Sequence, residues 1–173
     1  MLPRTLRNFS LFVEGVGYGG RCTELTLPSL NIATEEYRAG GIDAPVEIDM
    51  GQEAMVASFV VAEYEPEILN LVGLYDQEGT TITARGALQR NGDEDAVAIT
   101  AVMTGGIKSF DPGSFEAGSL TEATFEMAVR TYTLTIGDDE VYNIDAVNMT
   151  RIINGTDQLE SIRTAIGGAG SSD

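Results

Sequence analysis

Histidine is missing from this chain, and cysteine occurs once, at Cys22. Without histidine, the sequence cannot build a Ser-His-Asp or Cys-His catalytic group, a histidine-ligated zinc site or a histidine pH switch. A single cysteine excludes a disulfide within the chain and any cysteine-rich metal cluster. We expect Cys22 to be a buried free thiol, and the sequence leaves an intermolecular disulfide open.

Tryptophan is also absent, and the chain has no long apolar run. The longest apolar stretch, residues 54–62, contains Ser58. It is far shorter than the roughly 18 residues that a membrane-spanning helix needs. The first residues lack the apolar centre of a signal peptide. These absences predict a protein that is made in the cytoplasm and does not insert into a membrane.

Acidic residues and glycine are what the chain has in excess. It contains 27 Asp and Glu against 10 Lys and Arg, a formal net charge of −17, and 20 glycines among 173 residues. This charge repels nucleic acid phosphates and anionic membranes, which argues against a DNA-reading role. The length is that of one domain, and we assign residues 1–173 to it.

Short alternating segments separated by turn signals predict a chain of antiparallel strands. Residues 80–90 and 97–103 flank Asn91-Gly92, a hairpin turn signal. Within residues 121–136 the apolar positions change parity near Arg130 and Thr131, which predicts a β-bulge. Residues 53–63 are apolar on both faces and are predicted to be a strand covered on both sides.

Two short helices complete the prediction. One begins at Glu65-Pro66 and is followed by an apolar stripe of four residues, Ile68, Leu69, Leu71 and Val72. The other begins near Thr156-Asp157, with Leu159, Ile162 and Ile166 on one side. Residues 167–173 are predicted to be a flexible tail. The predicted fold class is mainly β, an antiparallel β-sandwich or barrel with one short internal helix and a short C-terminal helix.

Residues 34–51, with the sequence TEEYRAGGIDAPVEIDMG, predict an acidic hairpin with a glycine bend. Val46, Ile48 and Met50 alternate with Glu47 and Asp49, so one face is apolar and the other is acidic. An isolated two-stranded hairpin is marginally stable in water. We therefore expect this hairpin to pack against another copy of the protein.

Other motifs favour simpler explanations than a binding site. The glycines at 15, 17 and 20 match the spacing of a dinucleotide fingerprint, but residues 21–28 predict a strand where that site needs a helix. The acidic runs 93–95 and 138–140 lack the spacing of a calcium loop and are predicted to be solvated turns. The sequence predicts no cofactor and no metal site.

The hairpin sequence resembles that of the major tail tube proteins of contractile-tailed phages and of the related R-type pyocins (tailocins). Further matching segments are MLPRTLRNFSLFVEGVGYGG at residues 1–20, LTLPSL at 25–30 and VYNIDAVNMTRIINGTDQLESIR at 141–163. The match covers both ends of the chain and is less clear from about residue 76 to 122. The resemblance implies a β-sandwich that forms six-fold rings, whose inner sheets join into one barrel around a lumen.

The resemblance also implies roles for particular residues. An inter-subunit hairpin would use Tyr37, Arg38, Gly40, Gly41, Asp43 and Pro45. Because Arg38 is the lone base in this acidic segment, we also expect it to pair with a carboxylate across a subunit boundary. A C-terminal motif would tie the last helix to the sandwich or to a neighbour through Tyr142, Asp145, Asn154, Gly155 and Asp157. From the alternation of residues 46–50 we add Glu47 and Asp49 as candidate lumen-facing acids.

The implied function is structural rather than enzymatic. Stacked rings would form the inner tail tube of a virion, assembled in the host cytoplasm, through which DNA is delivered. The implied partners are further copies of the chain, the tail sheath protein, the baseplate hub, the tail terminator, the tape measure protein and the DNA that passes without specific binding. Two alternatives stay open: the tube of a tailocin or type VI-like injection machine without DNA, and a monomeric acidic β-sandwich that serves as a binding module.

Overall fold

The computed structural model describes residues 2–74 and 79–168. These residues form twelve strands and two short helices, which confirms the predicted antiparallel, mainly β class. The strands are β1 (Arg4–Val13), β2 (Val16–Gly17), β3 (Cys22–Thr26), β4 (Ile32–Tyr37), β5 (Val46–Gln52), β6 (Met55–Val61), β7 (Thr80–Arg90), β8 (Val97–Asp111), β9 (Ala123–Ile136), β10 (Asp139–Asp145), β11 (Thr150–Ile153) and β12 (Thr156–Asp157). The helices are α1 (Pro66–Leu69) and α2 (Glu160–Ala165).

The main sheet divides at β9. Its strand order is β12-β11-β10-β9-β8-β7-β1-β2, and β6 also pairs with β9 while β3 pairs with β6. The first half of β9, from Ala123 to Val129, pairs with β6. The second half, from Thr131 to Ile136, pairs with β10. Because β8 pairs with both halves of β9, these two strands run through both layers of the sandwich.

A bulge marks the point where β8 and β9 change layer. Thr104 is opposite Thr131, but the next residue, Gly105, is opposite Val129, so Arg130 is the extra residue. This position confirms the predicted bulge. A Cβ on Gly105 would lie 1.9 Å from the backbone oxygen of Ala128, so only glycine allows the two strands to approach this closely. Bulges and glycines of this kind bend strands at the corners of sandwiches.

The core lies between the two layers. Its largest fully buried side chains come from β1, β6, β7, β8, β9, α1 and the turn before β3; they are Tyr18, Phe59, Phe125, Leu11, Ile68, Ile82, Met103, Met127 and Val61. The Phe125 ring stacks between Phe59 and Phe110, with centroid distances of 5.1 and 5.2 Å. An apolar cavity of about 170 Å³ between β3 and the β7–β8 pair is lined by residues that include Leu25, Leu27 and Ile99.

Two helix predictions need correction. Helix α2 begins at Glu160, not near Thr156-Asp157, because those two residues pair with β11 as strand β12. Helix α1 ends at Leu69, so the predicted apolar stripe extends beyond it, and Val72 instead forms a parallel bridge with Ile107. Of the predicted flexible tail, residues 167 and 168 are described, and the rest lies outside the described residues.

The prediction for residues 53–63 is correct for one face. In β6 the side chains of Met55, Ala57, Phe59 and Val61 are buried. The opposite face is not fully covered within one chain, since Val56 is 37% exposed. Alternating burial along β6 therefore places one face in the core and leaves the other partly open to solvent.

The bulge between β8 and β9 predicts that alanine substitutions at two adjacent glycines differ strongly in their effect on the free energy of unfolding. We expect Gly105→Ala to lower the free energy of unfolding by about 1–3 kcal/mol, because the new methyl group overlaps the Ala128 carbonyl. Gly106→Ala is the control, since a Cβ there meets nothing within 4 Å. Urea unfolding of both variants provides the measurement. Equal stabilities would show that the close approach at Gly105 does not restrict the fold.

Candidate functional site

The acidic hairpin is a sheet of its own. Strand β4 pairs only with β5 among the described residues, and the two strands are separate from the main sheet. The register places Tyr37 opposite Val46, Glu35 opposite Ile48 and Glu36 opposite Glu47. The predicted hairpin is therefore present, and residues directly opposite each other share a face.

The apolar face of the hairpin is exposed in the single chain. Tyr37, Val46, Ile48 and Met50 are 50%, 47%, 46% and 60% exposed. Four large apolar side chains on one short hairpin are unusual for the surface of a soluble monomer, because contiguous apolar patches normally mark interaction sites. This face, which also carries Glu35 opposite Ile48, is therefore a candidate interaction surface.

The acidic face is held to the body of the chain at one end. The Arg151 Nη2 atom of β11 lies 2.9 Å from the Asp49 Oδ2 atom, and the Gly51 N–H donates to Asp49 Oδ1 at 2.8 Å. The Gly51 hydrogen bond and the Arg151 guanidinium hold the pKa of Asp49 below its usual value. At the other end, Glu36 is directly opposite Glu47, a like-charge pair that destabilises a hairpin.

The bend at residues 38–45 is exposed for most of its length. Gly41 has a φ of +90°, which favours glycine, whereas Gly40 has no positive φ. A Cβ on either glycine would meet nothing within 4 Å, so neither glycine makes the predicted close backbone approach to residues 2–74 or 79–168. Arg38 forms no ion pair with any described residue, and its predicted pairing across a subunit boundary stays a prediction.

The C-terminal motif is built around Asp157. Its Oδ2 atom lies 2.8 Å from Arg163 Nη2, and its Oδ1 atom accepts hydrogen bonds from the Leu159 and Arg151 N–H groups at 3.0 and 3.3 Å. Arg163 is 9% exposed and also donates to the Met149 carbonyl at 2.8 Å. Arg163 and Asp157 therefore hold α2 against β11 and β12.

The remaining motif residues shape turns in the same region. Asn154 and Gly155 have φ values of 50° and 76° and form the two-residue turn between β11 and β12. Asp145 accepts hydrogen bonds from the Val147 and Asn148 N–H groups, both at 3.0 Å, and so closes the β10–β11 turn. Tyr142 lies between Leu134 and Ile153 in the sheet.

Sequence reasoning missed two functional arginines and several exposed apolar side chains. Arg163 is buried and Arg151 is partly buried, and the scarcity of basic residues in this part of the chain was the available signal. Ile162 and Ile166, assigned to the apolar side of the last helix, are 51% and 66% exposed. Apolar surface on α2 is therefore available to a neighbour, like that of the hairpin.

The glycine motif at residues 15–20 lies before β3, and Cys22 is the first residue of that strand. Gly15 and Gly20 have positive φ values in turns that precede β3, not a helix. The described part of the chain has no cluster of three or more acidic, cysteine or histidine residues that could hold a metal ion. Cys22 is partly buried, and burial raises the pKa of its thiol to about 11. No helix within residues 2–74 or 79–168 is long and apolar enough to cross a membrane.

The Asp157–Arg163 pair predicts a pH-dependent contribution to stability. Burial acts to raise the pKa of Asp157, but the hydrogen bonds from Leu159, Arg163 and Arg151 outweigh it and hold the pKa below its usual value. The pair therefore stabilises the fold above about pH 4, and this contribution is lost as pH falls through the folded pKa.

We expect Asp157→Asn to lower the free energy of unfolding at neutral pH by about 1.5–3 kcal/mol, the value of hydrogen bonds to a charged group. The variant should also lose less stability than the parent between about pH 5 and pH 2. Asp138→Asn, in the exposed β9–β10 turn, is the control. If the free energy of unfolding changed with pH in the same way for the parent and for Asp157→Asn, the result would contradict this role of Asp157. Chemical denaturation at several pH values measures both effects.

Comparisons with known proteins identify the family of the chain. A sequence model described as "Phage tail tube protein FII" matches residues 3–167. The tail tube protein of Escherichia phage P2 is 30% identical over 169 residues, which cover 96% of this chain and 98% of that protein. The major tail tube protein of Serratia phage KSP20 is 30% identical over 149 residues, or 85% of each chain.

Solved structures share the fold at low sequence identity. A chain from the sheath-tube complex of the extracellular contractile injection system PVC, in its extended state, has a TM-score of 0.58 and 14% identity over 77% of this chain and 91% of that one. A chain from the sheath/tube terminator of the same system has a TM-score of 0.59 and 13% identity over 78% and 98%. The family match, over nearly the whole described chain, shows that this protein belongs to the phage tail tube protein FII family, a family of structural virion tail components rather than enzymes.

Proposed function

We propose that copies of this chain stack as six-fold rings into the inner tube of a contractile tail and so form the conduit for DNA. The proposal rests on the β4–β5 hairpin. Its apolar face is about half exposed, and its strands pair with no other described strand. Fully burying one such side chain contributes roughly 1.5–3 kcal/mol. Burying this face against a second copy therefore favours association, and the same contact is repeated in every subunit.

Open strand edges support the same conclusion. Strand β2 pairs with Phe12 and Val13 of β1, and the Tyr18 N–H donates to the Leu11 carbonyl, so residues 4–10 have no described strand partner on the side away from β7. At the other end of the sheet, β12 consists of two residues. Native proteins cover or shorten such edges, and closure into a barrel removes them. Neighbouring subunits in a ring provide that closure.

The end of the hairpin is assigned to the contact between rings. Tyr37, Arg38, Gly40, Gly41, Asp43 and Pro45 are all exposed, and Arg38 is available for a carboxylate of another copy. Glu47 and Asp49 were the candidate lumen acids. Arg151 binds Asp49 within the chain, so this end of the acidic face is directed toward β11, while Glu47 is exposed.

The proposed partner proteins are inferred from the solved structures that share this fold. The structures with this fold come from a sheath-tube complex, a sheath/tube terminator and a tube-terminating cap. We assign this chain the equivalent partners, a tail sheath protein and a tail terminator, together with a baseplate hub at the other end and a tape measure protein in the lumen before DNA enters.

One alternative function has specific support. The solved structures belong to an extracellular contractile injection system and an anti-feeding prophage, so the tube of an injection machine shares the fold. The sequence relatives, which are closer in identity and coverage, are tail tube proteins of phages P2 and KSP20. They favour the DNA-carrying tail. The monomeric binding module does not fit the family.

Assembly of the purified protein tests the proposal directly. We expect rings or long tubes in negative-stain images, and we expect their yield to rise as salt increases from very low ionic strength. Each subunit carries a formal charge of −17, and salt screens the repulsion between copies. Protein that stays monomeric at all concentrations and salt levels, with no tubes on seeding, would contradict the proposal.

The bend of the hairpin provides a matched pair of variants. Gly41→Val places a β-branched residue at a φ of +90°, at a cost of about 1–3 kcal/mol in each copy. We expect this variant to keep the sandwich folded and to form few tubes. Gly40→Val adds the same side chain without a positive φ and should assemble more nearly as the parent does. Sedimentation gives the tube yield and circular dichroism checks the fold. Full tube yield from Gly41→Val would show that the bend plays no part in stacking.

A further inference from the structure

The connection between β8 and β9, residues 112–122, carries the two most exposed large apolar side chains of the described chain. We call these residues the β8–β9 loop. Phe115 is 89% exposed and Leu120 is 87% exposed. Both line an open hollow of about 300 Å³ that is formed by residues of the loop itself. Two large apolar side chains around one hollow form a contiguous patch, and such patches normally mark interaction sites.

The β8–β9 loop is held in place at its base. Tyr64 donates a hydrogen bond to the Pro112 carbonyl, and its ring meets the Phe115 ring edge-on at a centroid distance of 5.8 Å. The Gly113 N–H donates to Asp111 Oδ1 at 2.9 Å. These contacts order the start of the loop and one side of Phe115 before any partner arrives. A preorganised surface loses less conformational entropy on binding, so the loop is suited to receive a partner.

The β8–β9 loop and the β4–β5 hairpin lie at opposite ends of β6. Strand β6 begins at Met55, shortly after β5 ends at Gln52, so the hairpin joins the sandwich at this end. At the other end Val61 is opposite Ala123, the residue that follows the loop. The strand from Met55 to Val61 spans about 20 Å. One copy therefore presents the hairpin at one end of β6 and the loop at the other.

The ion pair of the hairpin supports this placement. Arg151 of β11 binds Asp49 of the hairpin. Through Ile144 of β10, Arg151 is in register with Tyr132 of β9. Tyr132 lies beyond Val129, where the pairing of β9 with β6 ends, on the side away from the β8–β9 loop. The hairpin therefore extends away from the loop, and a contact between the two surfaces joins different copies.

Charge favours a hairpin over a second loop as the partner. The segment 111–122 has no basic residue and three acidic ones, which are Asp111, Glu116 and Glu122. Two such loops in contact would bring like charges together, which is unfavourable. The hairpin carries Arg38 next to Tyr37 of its apolar face, and Arg38 forms no ion pair with any described residue. Apart from Glu35, the acids of β4 and β5 lie on the other face of the hairpin.

We propose that the β8–β9 loop binds the apolar face of the β4–β5 hairpin of another copy, so that copies join head to tail. The inference rests on the proposed function and names the surface that receives the hairpin. The hollow of the loop takes a side chain such as Met50, and Arg38 pairs with an acid of the loop. A contact between two different surfaces can repeat along a filament, whereas a surface that binds itself closes as a pair.

Cross-linking in assembled tubes tests the contact. Cys22→Ser removes the native thiol, and Met50→Cys and Leu120→Cys are introduced in that background, singly and together. Tubes are treated with a short bis-maleimide, denatured and separated by gel electrophoresis. We expect a ladder of covalent oligomers from the double variant and single-chain bands from each single variant. Met50→Cys with Asp138→Cys, in the exposed β9–β10 turn, is the control and should give no ladder.

Three outcomes would overturn the proposal while leaving the proposed function in place. One is covalent dimers from Leu120→Cys alone, which would show that two loops meet. Another is a Leu120→Cys thiol that stays fully reactive in tubes, which would leave the loop open to an outer partner such as a sheath protein. The third is tubes without a ladder from this pair and from Tyr37→Cys with Phe115→Cys. The second pair also replaces the first if the first prevents assembly. A parent protein that forms no tubes would reject the proposed function and this inference together.

Substitution of Leu120 provides a second measurement. We expect Leu120→Asp to raise the protein concentration needed for tube formation by at least about tenfold, because an apolar side chain buried in the contact is replaced by a charge. Leu120→Met is the matched control and should assemble nearly as the parent does. Circular dichroism should show both variants folded, since Leu120 is almost fully exposed. An unchanged assembly concentration for Leu120→Asp would contradict burial of the loop against another copy.

Discussion

The fold depends on two strands that change layer together. Strands β8 and β9 stay paired on both sides of the corner, and Gly105 allows the backbones to meet while Arg130 takes up the extra length. Since the halves of β9 pair with β6 in one layer and with β10 in the other, the corner fixes how the layers face each other. The position of the core between the two layers follows from this continuous pairing.

The parts of the chain outside this framework are less well supported in a single copy. The hairpin is joined to β11 by the Asp49–Arg151 pair, and its apolar face is open. Helix α2 is held by Arg163, yet it presents Ile162 and Ile166 to solvent. Exposed apolar surface on two separate projections is costly for a monomer and is removed when copies associate. A buried sandwich core together with exposed apolar side chains on the hairpin and the last helix therefore suits a subunit that associates with further copies.

Local patterns in the sequence predicted local structure well. The ends of β7 coincide with the predicted segment 80–90, and the change of parity near Arg130 located the bulge. Pairing between distant segments was not predictable in the same way. The start of α2 was wrong because Thr156 and Asp157 pair with β11, a partner that periodicity does not reveal.

Net charge and apolar contact act over different distances when copies of the chain approach each other. The formal charge of −17 repels a second copy, but at physiological salt such a field decays over about 8 Å. Apolar attraction acts only at contact, where Tyr37, Val46, Ile48 and Met50 of the hairpin are about half exposed. Added salt therefore weakens the repulsion and leaves the apolar attraction in place, so the balance between the two decides whether copies associate.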